Sequence, residues 1–225
     1  MTTRATDPTA RRVLRAFEGA GVATRLHTLL RHLTAPFSQL EAMLPREGRV
    51  RDFGCGHGVF ALYLALAAPD RQVLGVDIDE RKLELADHAA RRLGVQDRVR
   101  FEEVDEAWAP AGSEHDSVVC VDVAYLLGTG RFLDLLDQFA EVTPPGGVVL
   151  VKEMGEAPPW KRRVLEAQER LATGPLGLTM GSHVEWVAMD AVESTLRRRG
   201  LQVERLELDR LHVHPHLAVV GRRGS

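Results

Sequence analysis

Three glycines at alternate positions, Gly54, Gly56 and Gly58, sit in the stretch VRDFGCGHGVF, and Asp52 stands two residues before the first of them. Glycine bares the backbone N–H groups and permits turns that other residues resist, so such a run can close tightly around a ligand. Where a strand feeds the run and a helix follows, the helix N-terminus favours a negative group on that ligand. A second acidic residue, Asp77, stands 23 positions after Gly54. In nucleotide-binding sheets an acidic residue at that distance meets a pair of ribose hydroxyls, and one carboxylate can accept two hydrogen bonds at once. The dinucleotide fingerprint GxGxxG would need a glycine at position 59, where the chain has Val59. The GxGxG spacing therefore argues against a nicotinamide cofactor and an oxidoreductase.

The elements that must position these residues alternate along the chain. Residues 49–53 read as a short strand that runs into the glycines. Residues 58–68 then carry Phe60, Leu64 and Ala67 at helical spacing. A second strand over 71–78 has the continuous apolar character of a parallel sheet and delivers Asp77. The helix over 79–95 places Leu83, Ala86, Ala90 and Leu93 on one face, and Gly94 stops it. Strands follow at 98–104 and 116–123. A helix over 131–142 turns Phe132, Leu135, Leu136 and Phe139 inward, and TPPGG leads into a fifth strand at 148–153. Repeated strand–helix–strand units predict a doubly wound α/β sheet, mostly parallel, with right-handed crossovers. Its ligand should lie at the carboxyl ends of the strands. A closing helix (188–199), a strand at 201–208 and a last strand at 216–222 complete seven strands.

The 225 residues suit one well-cored domain. Within it, 1–45 forms a helical cap, 46–153 the ligand-binding core, 154–187 an insertion placed as a lid, and 188–225 the closing helix and strands. The formal net charge of −3 lacks the basic excess of a nucleic-acid footprint. No apolar run approaches the ~20 residues of a membrane span, and the N-terminal stretch lacks the apolar core of a signal peptide. A cytoplasmic location follows as an expectation, with a monomer or homodimer as the assembly. Cys55 and Cys120 have no CxxC or Cys/His cluster beside them, which argues against disulfides and structural zinc.

Taken in order, VRDFGCGHG, VLGVDID, VDEAW, DSVVCVDVAYLL and TPPGGVVLVKE resemble the class I S-adenosylmethionine-dependent methyltransferases over residues 49–153. The resemblance implies a Rossmann-like seven-stranded sheet with an antiparallel last strand, and S-adenosyl-L-methionine as cofactor. Position by position, it implies that Asp52, Gly54, Cys55, Gly56 and Gly58 surround the methionyl part. Asp77 would take the ribose hydroxyls, Ile78 would lie against the adenine, and Asp105 would reach the adenine amino group. Cys120 and Asp122, at the end of the fourth strand, would border the methionyl amine and the methyl. One departure is Arg51, where the family usually has a hydrophobic residue. Its guanidinium is expected to snorkel to an edge or to pair with a carboxylate.

The resemblance says less about the methyl acceptor. The stretch VDVAY replaces the Asp/Asn-Pro-Pro-Tyr of base methylation, and Lys152-Glu153 replaces the Asp-Asn pair of metal-dependent catechol relatives, so neither nucleic acid nor metal is expected. Direct in-line transfer to a small molecule, at oxygen, is the reading that remains. Its rate would come from positioning and desolvation. His183, in MGSHVEW, and His214, in LHVHPH, are candidate general bases for an acceptor that must lose a proton. In the second stretch His212, His214 and His216 would share one face, although Pro215 interrupts the strand. Tyr125 could orient an acceptor. The basic cluster WKRR (160–163) could attract an anionic substrate or a carrier-bound acceptor. A cofactor-binding partner protein without transferase activity is the alternative from another class.

Overall fold

The computed structural model describes residues 7–110, 115–154, 187–208 and 216–225. Three helices come first: α1 (Pro8–Ala16), α2 (Val22–Thr34) and α3 (Phe37–Glu41). The core then runs β1 (Glu47–Phe53), α4 (Val59–Ala67), β2 (Asp70–Asp77), α5 (Glu80–Leu93) and β3 (Val99–Glu103). It continues through β4 (Ser117–Val121), α6 (Ala124–Leu127), α7 (Thr129–Val142) and β5 (Val148–Met154). Helix α8 (Met189–Arg198), β6 (Gln202–Leu208) and β7 (His216–Arg222) close it.

The strands form one seven-stranded sheet in the order β3-β2-β1-β4-β5-β7-β6. The neighbours from β3 through β5 pair in parallel, whereas β7 runs antiparallel to both β5 and β6. Strand alternation divides the core into two layers. Val119 and Leu150 face α4 and the N-terminal helices. Val118, Cys120, Val149 and Val151 face α7 and α8. Helix α4 has no polar face, and every residue from Val59 to Ala65 is buried. Truncating a residue there, as in Leu62→Ala, should cost about 2–5 kcal/mol. Helix α5 is amphipathic, is capped by Asp79, and ends where Gly94 adopts φ +68°.

Chain order reverses between β1 and β4, which lie side by side with Phe53 opposite Cys120. This is the switch point of a doubly wound sheet, where the crossovers leave in opposite directions and a crevice opens beyond the strand ends. The glycine run after β1 and residues 122–123 after β4 face each other there. Helix α2 reaches the same place with an uncommon orientation. Its buried residues are Thr28 and His32, whereas Val22, Leu26, Leu29, Leu30 and Leu33 are exposed.

Candidate active site

The three glycines have different duties. All take positive φ: +71° at Gly54, +54° at Gly56 and +68° at Gly58. A Cβ at Gly54 would overlap the Val123 side chain, and one at Gly58 would lie 2.5 Å from the Phe101 ring and 2.8 Å from Ala86. These two glycines let the loop pack against its neighbours. A Cβ at Gly56 would meet nothing within 4 Å. Gly56 is therefore the position where the loop borders open space.

Asp77 fastens the loop to the end of β2. Its Oδ2 accepts from the Gly56 N–H at 2.8 Å and its Oδ1 from the Asp79 N–H at 3.1 Å. Each oxygen keeps a further lone pair for a ligand hydroxyl. The neighbouring Ile78 is 41% exposed, an apolar side chain left open beside the crevice. Asp105 is exposed on the segment after β3, and its carbonyl accepts from the Trp108 N–H at 3.2 Å. Cys55 is half-buried and Cys120 fully buried, and burial pushes both thiols well above their usual range. Cys120 has no exposed surface, so its contribution to the crevice is indirect, through the packing beneath it.

Arg51 does not reach an edge. It is 3% exposed, and its guanidinium carbon lies 5.2 Å from the centroid of the Trp108 ring. A cation over an aromatic face is a favourable arrangement in a desolvated site, and the sequence around Arg51 gave no sign of the distant ring.

Asp52 is 2% exposed, and its Oδ2 has no hydrogen-bond partner among the described residues. Burial raises its pKa to about 7 against the opposing pull of Arg31, and the charge of Asp77 adds to the rise. Such a carboxyl is an acceptor with a vacant lone pair, suited to a cationic donor.

The far wall of the crevice is ionic. Asp122 holds φ +53°, the one described residue other than glycine in the left-handed region. Lys152 Nζ lies 2.6 Å from its Oδ1, while the Arg31 guanidinium donates to its Oδ2 and, at 2.6 Å, to the Val121 carbonyl. Burial alone would raise the Asp122 pKa, but Lys152 and Arg31 outweigh it, and the carboxyl stays below its ordinary value. Glu153 accepts from the Val123 and Ala124 N–H groups at 3.0 and 2.8 Å through Oε1. Burial, with the Asp122 charge, raises its pKa to about 8. Tyr125 is half-buried on α6 and interacts electrostatically with Arg31. His216 opens β7, buried, close enough to help hold Asp122 ionised.

Two further histidines join the site. His27 of α2 packs on His57 of the glycine run, with ring centroids 4.9 Å apart. Burial, reinforced by neighbouring cations, lowers both pKa values to about 4, so both rings are neutral near pH 7. Sequence reasoning did not single out Arg31, His27, His57 or Glu153. The available signal was the polar stripe Thr24, His27, Thr28, Arg31 on α2. His183, His212 and His214 lie outside the described residues.

Residues 22–206 match the family described as a methyltransferase domain. The chain belongs to the class I S-adenosylmethionine-dependent methyltransferase family. Among its relatives is the 27-O-demethylrifamycin SV methyltransferase of Amycolatopsis mediterranei, 32% identical over 187 residues, covering 80% of this chain and 64% of that one. The ribosomal protein L11 methyltransferase of Shewanella halifaxensis is 34% identical over 111 residues, covering 48% of this chain and 35% of that one. The chain thus spans about one to two thirds of these relatives' lengths. An O-methyltransferase family protein from Burkholderia thailandensis shares the fold, with a TM-score of 0.71 at 18% identity, over 94% of this chain and 62% of that one. The methyltransferase crevice fits the cofactor by its own chemistry. Open space over Gly56, lone pairs on Asp77, an exposed apolar Ile78 and the Oδ2 of Asp52, without a partner among the described residues, suit a ligand with an anionic tail, a hydroxyl pair, an apolar ring and a cationic donor.

Proposed function

We propose that this chain transfers the methyl group of S-adenosylmethionine to a small-molecule acceptor, at oxygen and without a metal. The observation that carries the reading is the crevice between β1 and β4. There the Asp77 carboxylate holds the Gly56 N–H beside open space, and Asp52, whose buried Oδ2 has no partner among the described residues, lies within electrostatic reach of Asp77. When bound, the cofactor supplies a methyl on a sulfonium, whose positive charge disappears on transfer. Asp77 would hold the ribose and Ile78 the adenine, with Asp105 at its amino group. Asp52, once ionised, would hold the methionyl ammonium, and the Gly56 region would receive the carboxylate. The chain's work is then to orient two reactants and exclude water, because charge falls rather than grows along the reaction.

The chain is read as one domain, with segments 1–45 and 154–187 bounding the acceptor side. A relative named for 27-O-demethylrifamycin SV, a small molecule, supports the choice of acceptor class. For a hydroxyl that must lose a proton during transfer, His183 and His214 are the proposed bases, with Tyr125 orienting the acceptor. Among the described residues no helix is long and apolar enough to cross a membrane.

The test is transfer of labelled methyl to a panel of phenols, alcohols, carboxylic acids and amines, with and without a metal chelator. Labelled oxygen products formed equally well under chelation are expected. Cofactor binding without turnover of any acceptor would favour a non-catalytic binding protein instead.

A further inference from the structure

The wall at the end of β4 gathers two cations around one carboxylate, and Asp52 is the next acid whose charge reaches Arg31. The cations are Arg31 and Lys152, and the carboxylate is that of Asp122. A further acid, Glu153, spends one oxygen on two backbone N–H groups and is held protonated at neutral pH by burial. The members of this network differ in access. The Lys152 side chain is 1% exposed and that of Asp122 is 9% exposed, but that of Arg31 is 26% exposed. Of the five N–H donors on its guanidinium, two have partners among the described residues, the Asp122 carboxylate and the Val121 carbonyl. Arg31 is therefore a fixed, half-buried cation whose remaining donors have no partner among the described residues. It reaches the end of β4 from α2.

We propose that Arg31 is an acceptor-binding residue and that the acceptor meets the methyl as an oxyanion, a carboxylate or an acidic phenolate, paired with its guanidinium. The inference rests on the methyl-transfer reading and adds the acceptor class to it. A carboxylate suits a planar guanidinium because two parallel N–H···O bonds can form. A guanidinium still reachable at 26% exposure favours an anion and disfavours a neutral isostere or an amine. The reaction balances without a base: a lone pair on the acceptor oxygen forms the O–C bond while the S–C bond breaks with its pair left on sulfur. An ester or ether and a thioether result, and no proton moves. Histidine bases then become unnecessary.

The test is calorimetry on the full chain saturated with S-adenosylhomocysteine, with 2-naphthoate, 4-nitrophenolate and the neutral 2-naphthamide as probes. At least one anion should bind about 10- to 100-fold more tightly than the amide, the range for a charge-assisted hydrogen bond. Naphthoate and nitrophenolate separate the carboxylate from the phenolate source. Arg31→Met should bring the anion down to the level of the amide, and Arg31→Lys should keep part of the preference, with S-adenosylhomocysteine affinity unchanged in both. An amide that binds as well as the anions, binding of neither anion, or a preference that survives Arg31→Met would overturn the proposal. Loss of S-adenosylhomocysteine binding in Arg31→Met would overturn it too, by assigning the guanidinium to the cofactor. A wild-type chain that does not bind S-adenosylhomocysteine would overturn the methyl-transfer reading and this inference with it.

Discussion

The glycine run after β1 and helix α2 border the same crevice and touch through His57 and His27, and they are specified in different ways. The run acts through its backbone. Its partners are near in sequence or one strand away: Gly56 to Asp77, Gly54 to the Val76 carbonyl. Helix α2 acts through side chains that reach far along the chain, as Arg31 does to Val121 and Asp122, 90 and 91 residues on. A backbone cradle is written as spacing and can be read directly. A side-chain network depends on which distant residues the topology brings together.

The contrast is tested most severely within the run itself. Gly56→Val places a β-branched side chain at φ +54° in the space left for the ligand. S-adenosylmethionine binding should be lost while far-ultraviolet circular dichroism stays native. Normal binding by this variant would make Gly56 a turn residue only. Gly54→Ala should behave in the opposite sense. Its Cβ would press into Val123, and overpacking of that kind costs about 1–3 kcal/mol. A lower urea midpoint is therefore expected, with residual cofactor binding.

A smaller effect separates the ionic wall from the histidine pair. Glu153, with its pKa raised to about 8 from 4.5, holds a proton that the unfolded chain gives up, and so does Asp52, raised to about 7 from 3.8. Their contribution is full below the unfolded values and is lost as pH rises through 7 and 8. His27 and His57, lowered to about 4 from 6.5, act the other way, and their contribution grows as pH rises from 4 to 6.5. The two trends oppose each other below pH 6.5. Above it only the acids remain, so the cofactor-free protein should lose stability between pH 6.5 and 8. In Glu153→Gln that decline should be shallower in urea titrations. A flat wild-type profile would contradict the protonated state of Glu153.

Much of the fold was legible because local signals agreed. β4 and β5 carry the apolar runs VVCV and VVLV, Gly94 ends α5, and Asp77 sits where β2 must stop. Strand ends moved by one or two residues, as at β1, which starts at Glu47 rather than residue 49. Helix α2 shows the limit. Its sequence is amphipathic, but periodicity tells only that a helix has two faces. The covered face is the polar one, because Arg31 finds the carboxylate of Asp122 and His27 finds His57. Arg51 was unreadable for the same reason, since Trp108 lies far along the chain. Gly54 and Gly58 matched the motif, yet their packing against Val123 and Phe101 needed the fold to become visible.

The central claim is that the loop and the acid after β2 together hold the cofactor, and calorimetry of S-adenosylmethionine against wild type and Asp77→Ala tests it most directly. Removing a charged acceptor from two ribose hydroxyls should weaken binding by about 1.5–3 kcal/mol. The Gly56 N–H would lose its 2.8 Å partner at the same time. Equal affinity in the two proteins would contradict the account.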